Sequence, residues 1–489
     1  MALHAPAYGP VLGLTTGNSV RLMAGIDHHG IDEGVSKASK LNSGFLRFKK
    51  AADSRWSSVK KFRFNRNFYW TGVIELTDLT ADTEYSYQLG YDLKDPTPEP
   101  AAADWKKIPV HSFRTAAMAP TSLHFCFGSC LRQDDDDDRV GKVLHHVSAL
   151  HAARPLDFML WMGDQIYNDK MLFLTANNSS RDDFFEVYKH FFNNAYVKPI
   201  LANIPNYMVM DDHEIENSFA DGAADYANSG LFSSKTKKER LINGILAMYC
   251  YQLSHGPIYN SVADPEQPGV AFIKGQEDNQ VPVRHYAAVA MGDVGLFLMD
   301  CRKERNKDKD LLISEHQEAA LLAFLSDPQY RVRFVVSSVT FLADDDASKK
   351  RADNWKRAAA QRNRIISHLI KHSIPNVFFL SGDVHSHFAA RLEINKKPSS
   401  IYQLVSGSLF WPTSFIIDQI RWFRDDVMFK QPVFGCDKKV VLSNPLSDID
   451  TDFFASNGIG YVAVEQNEVL FRVINEKGTT MIEARLPLQ

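Results

Sequence analysis

The sequence predicts an α/β sheet protein preceded by an all-β sandwich of the immunoglobulin or fibronectin type, and three observations predict it. Between residues 10 and 116, short apolar runs alternate or nearly alternate and are separated by polar turns, as strands with one buried face do. From Thr121 onward, strand-like runs take turns with helical patterns, the signature of an α/β sheet. Several of those runs stop abruptly at a glycine or an acid.

In the N-terminal part, Ser19–Met23, Gly44–Phe48 and Phe68–Ile74 read as strands, and Leu79–Tyr87 as a corner leading into another. Asp95–Pro100 is a proline-rich loop and Val110–Thr115 a closing strand. This part carries no chemistry and is expected to shape or shield a cleft. We take it as a domain over 1–117, followed by a second over 118–489 with an insertion at about 214–285. Insertions of that kind commonly line pockets, and a helix is expected in it near Lys237–Gln252.

The second domain is organised around Phe158-Met159-Leu160-Trp161-Met162-Gly163-Asp164-Gln165-Ile166-Tyr167. A short run of bulky apolar residues reads as a strand buried on both faces. It breaks at Gly163 and delivers a carboxylate and a phenol to the carboxyl edge of the sheet, where open α/β folds bind ligands. One such junction is ordinary, because Gly and Asp are common turn residues. Here the design recurs. Leu123–Phe127 leads into Gly128-Ser129-Cys130, and Tyr207–Met210 into Asp211-Asp212-His213-Glu214. Val294–Met299 leads into Asp300-Cys301-Arg302, and Val377–Leu380 into Ser381-Gly382-Asp383-Val384-His385. If the strands are parallel neighbours, one sheet edge collects Cys130, Asp164, Tyr167, Asp211, Asp212, His213, Asp383 and His385. Uncompensated carboxylates crowded at a buried edge take up protons. Metal cations relieve the crowding, and His, Cys and carboxylate are the side chains that bind them.

The rest of the chain bounds the reading. Its 489 residues are 45% hydrophobic and 23% charged, an ordinary globular composition with room for two domains. A net charge of −4 gives no global footprint for nucleic acid or for an acidic membrane surface. Five scattered cysteines make no disulfide framework. No basic-then-apolar leader opens the chain and no run is long enough to span a bilayer, so a cytoplasmic protein is the default, or an exported one whose leader has been removed. Asp134–Asp138 reads as a solvated helix start ahead of Val140–Ala153 rather than a calcium loop, since its spacing matches no chelating motif. A helix is expected over Asp353–Lys371. The stretch 410–424, rich in aromatics with Arg421 and Arg424, is either a helix packed over the sheet edge or a peripheral membrane or apolar-substrate contact. Strands at Ala389–Leu392, Ile401–Val405, Gly460–Val464 and Val469–Val473 call for a second sheet.

Other hydrolytic and nucleotide chemistries find no support. A cysteine phosphatase loop on Cys130 needs an arginine where Asp136 stands. There is no glycine-rich phosphate loop with lysine and no Gly-x-Ser-x-Gly elbow.

Taken together, Phe127-Gly128-Ser129-Cys130, Gly163-Asp164-Gln165-Ile166-Tyr167, Asp211-Asp212-His213-Glu214, Asp353-Asn354-Trp355 and Ser381-Gly382-Asp383-Val384-His385 resemble the PhoD-like (alkaline phosphatase D) metallophosphatases in order and spacing. The resemblance implies a metallophosphoesterase-type αββα core of two sheets, acting on phosphomonoesters or phosphodiesters with iron(III) and calcium. It implies that Cys130, Asp164 and Tyr167 hold the iron, while Asp164, one of Asp211 and Asp212, Asp383 and His385 hold calcium; which of the pair serves stays open. The chemistry agrees. A phenol with a pKa of about 10 needs a highly charged ion to displace its proton, and carboxylates suit calcium. A metal-bound hydroxide would attack phosphorus in line, and His213 would protonate the leaving group. Arg302 is the expected catalytic clamp on a phosphate oxygen, with Arg305 and Asn217 as substrate contacts. Lys356 and the following residues depart from the pattern that family members commonly show after the tryptophan, which bears on substrate range. The alternatives are a dinuclear zinc or manganese phosphoesterase and a non-catalytic relative that binds a membrane or a partner. The expected partner is a small phosphoester, with no sequence-specific nucleic acid.

Overall fold

The computed structural model describes residues 3–27, 43–92, 104–132, 137–168, 180–219, 234–274, 284–344, 352–411, 440–445 and 453–489. Two mixed sheets face one another. The first has six strands in the order Asn206–Met208, Phe158–Trp161, Leu123–Gly128, Gly458–Val464, Glu468–Asn475 and Thr480–Pro487. Its first three are parallel and the others antiparallel. The second runs Ala287–Met291, Val294–Leu298, Val332–Ser337, Val377–Ser381, Lys397–Ser406, His387–Ile394 and Val440–Ser443, with Phe453–Phe454 beside His387–Ile394. From Val294–Leu298 to Lys397–Ser406 its strands are parallel.

The two-residue period of a strand builds the layers. Leu123, Phe125 and Phe127 share one core with Phe334, Phe378 and Leu380 of the facing sheet, and Phe125 meets Phe334 edge-on at 5.2 Å. Cys126, between them, belongs instead to a core with the helices Asp137–Ala153, Arg181–Asn193 and Val197–Asn203. Glu315–Ser326 and Ala359–Lys371 cover the outer face of the second sheet in the same way. Each large apolar side chain buried in these layers contributes roughly 1.5–3 kcal/mol over exposure. The packing of two whole sheets therefore sets how far apart their strand ends lie.

The N-terminal residues form two smaller sheets. One is Tyr8–Thr15, Val20–Gly25, Thr71–Leu76, Val270–Ile273 and Ser261–Ala263; the other is Lys60–Arg63, Ser43–Lys50, Glu84–Asp92 and His111–Arg114. They share a core containing Leu22, Ile74, Leu46 and Tyr87. Two strands of the first sheet come from the insertion, which sequence reading did not foresee. A buried ion pair reinforces that link, with Arg21 Nε 2.7 Å from Glu75 and Arg21 Nη1 donating to the Gly256 carbonyl at 2.6 Å. The opposite face, with Tyr8, Val11 and Met23, joins the core that holds Trp161 and Met210. The N-terminal sheets thus buttress the sheet that ends in Asp164.

Several expectations shift in detail. The sequence collects its polar strand ends on one sheet edge, whereas the structure divides them between two sheets whose carboxyl ends meet. The strand Val332–Ser337 ends in serines rather than an acid and so escaped the pattern. The helix expected from Asp353 begins at Ala359, because Asp353 is bound by arginines and Trp355 is buried, its Nε1 donating to Ser337 Oγ at 3.1 Å. The insertion helix spans Ser234–Met248 and widens into a π turn over Tyr249–Leu253. Asp138 stands at a helix start as expected and accepts from the Tyr196 hydroxyl at 2.9 Å. The rest of the acidic run up to residue 136 and the stretch 412–424 lie outside the described residues. Among the described residues, no helix is long and apolar enough to cross a membrane.

Candidate metal centre

Cys130, Asp164 and Asp211–Glu214 follow the parallel strands of the six-stranded sheet, while Arg302, Asp383 and His385 follow strands of the facing one. The loops are tightly bent. Cys130 (φ +57°), Asp164 (+57°), Asp383 (+66°) and His385 (+49°) all adopt the left-handed conformation. For residues with a Cβ this costs on the order of 1 kcal/mol or more each, and it persists where the surroundings over-determine it, as functional sites do. Two glycines let the loops meet. A Cβ on Gly163 would stand 2.4 Å from that of Asp211, and one on Gly382 would stand 2.3 Å from Ser129 Oγ.

Asp164 is the hub. Its Oδ2 accepts from the Tyr167 hydroxyl at 3.1 Å and from Cys130 Sγ at 3.5 Å. Its Oδ1 accepts from the backbone N–H of His213 at 3.2 Å. Asp164, Asp211, Asp212 and Asp383 each bring one oxygen into a group whose atoms all lie within 4.8 Å of one another. A His213 ring nitrogen forms a second such group with Asp164 and Asp212. Two full negative charges that close repel by about 3.5 kcal/mol at an effective dielectric of about 20. Burial first, and the carboxylates of Asp212, Asp211, Glu214 and Asp383 next, push Asp164 well above the carboxylate range. Burial followed by Asp164 does the same to the Cys130 thiol and the Tyr167 phenol.

Such a donor set fits cations. Sulfur, phenol and carboxylate meet on the side of Cys130, Tyr167 and Asp164, and oxygens alone on the side of Asp211, Asp212 and Asp383. The Oδ2 of Asp211 is buried without a hydrogen-bond partner, a costly state that a ligated ion would relieve. Proton release from Cys130 and Tyr167 needs a strong positive field, which a multivalent ion supplies.

Two further groups hold this arrangement, and sequence reading gave one of them no role. Glu214 is buried, and its carboxylate accepts from the backbone N–H groups of Asp164 (3.0 Å), Gln165 (2.9 Å) and Asp211 (2.8 Å). Gln252 Nε2 on the π turn of the insertion adds a fourth contact at 3.0 Å. Burial raises Glu214 to about 7 against the pull of those N–H groups. One carboxylate thus clasps the Asp164 loop, the Asp211 loop and the insertion. The only signal for it was its place in Asp211-Asp212-His213-Glu214.

Arg302 is the second. It was expected to face substrate, yet it is 0% exposed and pairs with Asp211 through Nε, with Asp353 at 2.7 Å, with Asp212 at 3.4 Å and with Asp383 at 3.9 Å. Arg305, expected beside it, is 1% exposed. It donates to the Asp353 side chain, to the Asp353 carbonyl at 3.1 Å and to the Cys301 carbonyl at 3.0 Å. Neither guanidinium points into open space. Asn217 is exposed on the turn after His213. His213 lies with its ring 4.4 Å from that of Tyr167. His385 falls outside the tight donor group and stacks on Trp411 at 4.0 Å, and Trp411 in turn packs on Tyr167 at 5.3 Å. Trp411 therefore spans the two sides of the centre. Among the acids around the centre, Asp383 and Asp353 keep part of their side chains in solvent, 27% and 35% exposed.

Comparison with known proteins places this geometry. The family model described as PhoD-like phosphatase matches residues 140–419. Alkaline phosphatase D of Bacillus subtilis (strain 168) is 24% identical over 352 residues, which cover 68% of this chain and 55% of that protein. The chain thus spans about half the length of that curated relative. The solved structure of PhoD superposes with a TM-score of 0.67 at 16% identity, over 98% of this chain and 89% of the other. At that identity the likeness speaks for the fold.

Proposed function

The chain belongs to the PhoD-like phosphatase family, and on that premise we propose that it is a metal-dependent phosphoesterase working at the Asp164 centre, on phosphomonoesters, phosphodiesters or both. The observation that carries the reading is the meeting of Cys130, Tyr167 and Asp164 with the oxygens of Asp211, Asp212 and Asp383 at the joined ends of two sheets. We assign iron(III) to Cys130, Asp164 and Tyr167, and calcium to Asp164, Asp383 and the Asp211–Asp212 pair, with His385 at the margin behind Trp411. When bound, these ions supply a water of lowered pKa as nucleophile and neutralise charge on the non-bridging phosphate oxygens.

The protein's own residues do the rest. Asp164 fixes the two sides of the centre to each other, and Glu214 holds the loops of Asp164 and Asp211 in register. His213, beside Asp164 and Asp212, delivers a proton to the departing alkoxide, a contribution of typically 10²–10⁴-fold. Trp411 covers the Tyr167 and His385 rings and keeps bulk water off them. Arg302 balances the acid cluster rather than touching substrate. The same reading takes the facing sheets as a metallophosphoesterase-type αββα sandwich over 118–489. It takes the smaller sheets as an immunoglobulin- or fibronectin-like unit over 1–117 that borrows two strands from the insertion.

Thiolate and phenolate bound to iron(III) absorb visible light, so purified protein is expected to be coloured. Cys130→Ser and Tyr167→Phe should each weaken and shift that band, and elemental analysis should return iron with calcium. Colourless protein that is fully active with zinc or manganese would replace the assignment by the dinuclear alternative.

A further inference from the structure

Beside its bound ions, a phosphoester centre gains affinity from a side-chain cation that holds the substrate's phosphoryl oxygens, and this inference rests on the phosphoesterase reading above. Arg302 and Arg305 are buried with their donors on carboxylates and carbonyls. Lys303 lies against His285, and Lys307 donates to the Ser218 carbonyl at 3.3 Å.

Arg132 differs from all of these. It follows Cys130 by two residues, and its backbone N–H donates to the Phe410 carbonyl at 3.0 Å. Residues 130–132 therefore run beside 409–411, with Leu131 bridged to Phe410. The guanidinium carbon sits over the Trp411 ring, 5.3 Å from its centroid, and that ring touches both His385 and Tyr167. Arg132 is thus one indole away from two candidate ligands. It is half-buried, and among the described residues no carboxylate pairs with it.

A guanidinium over an aromatic face makes that contact through its flat face and keeps its N–H groups, which lie in its own plane, for other acceptors. That edge is matched to two oxygens of one phosphate. A lysine in its place would present a point charge with neither the fork nor the stacking. We infer that Arg132, braced by Trp411, is the residue that recognises the phosphate group of the substrate. The role expected of Arg302 falls to a side chain that, among the described residues, has no carboxylate on its hydrogen-bonding edge.

The test uses the metal-loaded protein. KM and kcat for p-nitrophenyl phosphate are measured together with the Kd of inorganic phosphate by calorimetry, for the unmodified chain, Arg132→Ala and Arg132→Lys. Losing a charge-assisted bidentate contact should raise KM and the phosphate Kd together by about tenfold or more. The expected result also has kcat within about twofold, metal content unchanged, and Arg132→Lys between the other two. A KM and Kd unmoved by Arg132→Ala in a protein that does hydrolyse the ester overturns this inference alone. So does a fall in kcat accompanied by metal loss, which would make Arg132 merely a support for Trp411. An unmodified protein that turns over neither this ester nor its bis ester and binds no phosphate overturns the phosphoesterase reading along with it.

Discussion

Asp164→Asn is expected to abolish hydrolysis of both p-nitrophenyl phosphate and its bis ester, by at least about a thousandfold, since several kcal/mol of charge stabilisation disappear with the ions. The substitution barely changes shape, so its effect is chemical. Both oxygens of Asp164 accept hydrogen bonds, from Tyr167 and Cys130 on one side and from the His213 N–H on the other. An amide must turn an NH₂ toward one of those donors. It also withdraws the one carboxylate common to both sides of the centre. Metal content should fall with activity. The fold should survive, because burial and the neighbouring carboxylates already disfavour a charged Asp164 in the metal-free protein. Substantial turnover by this variant would show that the chemistry happens elsewhere.

Arg302→Met should be the most destabilising single change at the site, costing about 3–5 kcal/mol in metal-chelated protein. Methionine fills much of the same volume, so the loss is mainly electrostatic. Asp211 is fully buried and Asp212 nearly so, and both lose their guanidinium partner while Asp353 keeps Arg305. Urea titration measures the loss. Calcium should restore part of it, since an ion bound to the folded state alone stabilises by mass action and supplies the missing positive charge. A change below about 1 kcal/mol, or no response to calcium, would mean that the acids are not charged together in the folded protein.

How far the sequence reveals this arrangement differs from residue to residue. Gly163-Asp164 and Gly382-Asp383 stood out because the break from an apolar run into Gly–acid recurs along the chain, although one such junction alone is an ordinary turn. The structure adds that each glycine makes room for the neighbouring loop. Glu214 carried no such mark. Its role depends on N–H groups about fifty residues away and on Gln252 in the insertion, and no local pattern encodes that distance. Arg302 was misjudged for a related reason. A chain position after a strand says that a side chain reaches the edge, but not whether acids from another sheet are waiting there. The insertion strands around Val262 and Ala271 were obscured because they are completed by Thr71–Leu76, far back in the chain.

The most direct test is anomalous diffraction from crystals of the metal-loaded protein, collected at the iron edge and again at long wavelength for calcium. Two neighbouring peaks that share Asp164 are expected, the iron peak bounded by Cys130 and Tyr167 and the calcium peak by Asp383 with Asp211 or Asp212. Metal density remote from Asp164, or bound to Cys130 without any tie to the strand ends of the facing sheet, would contradict it.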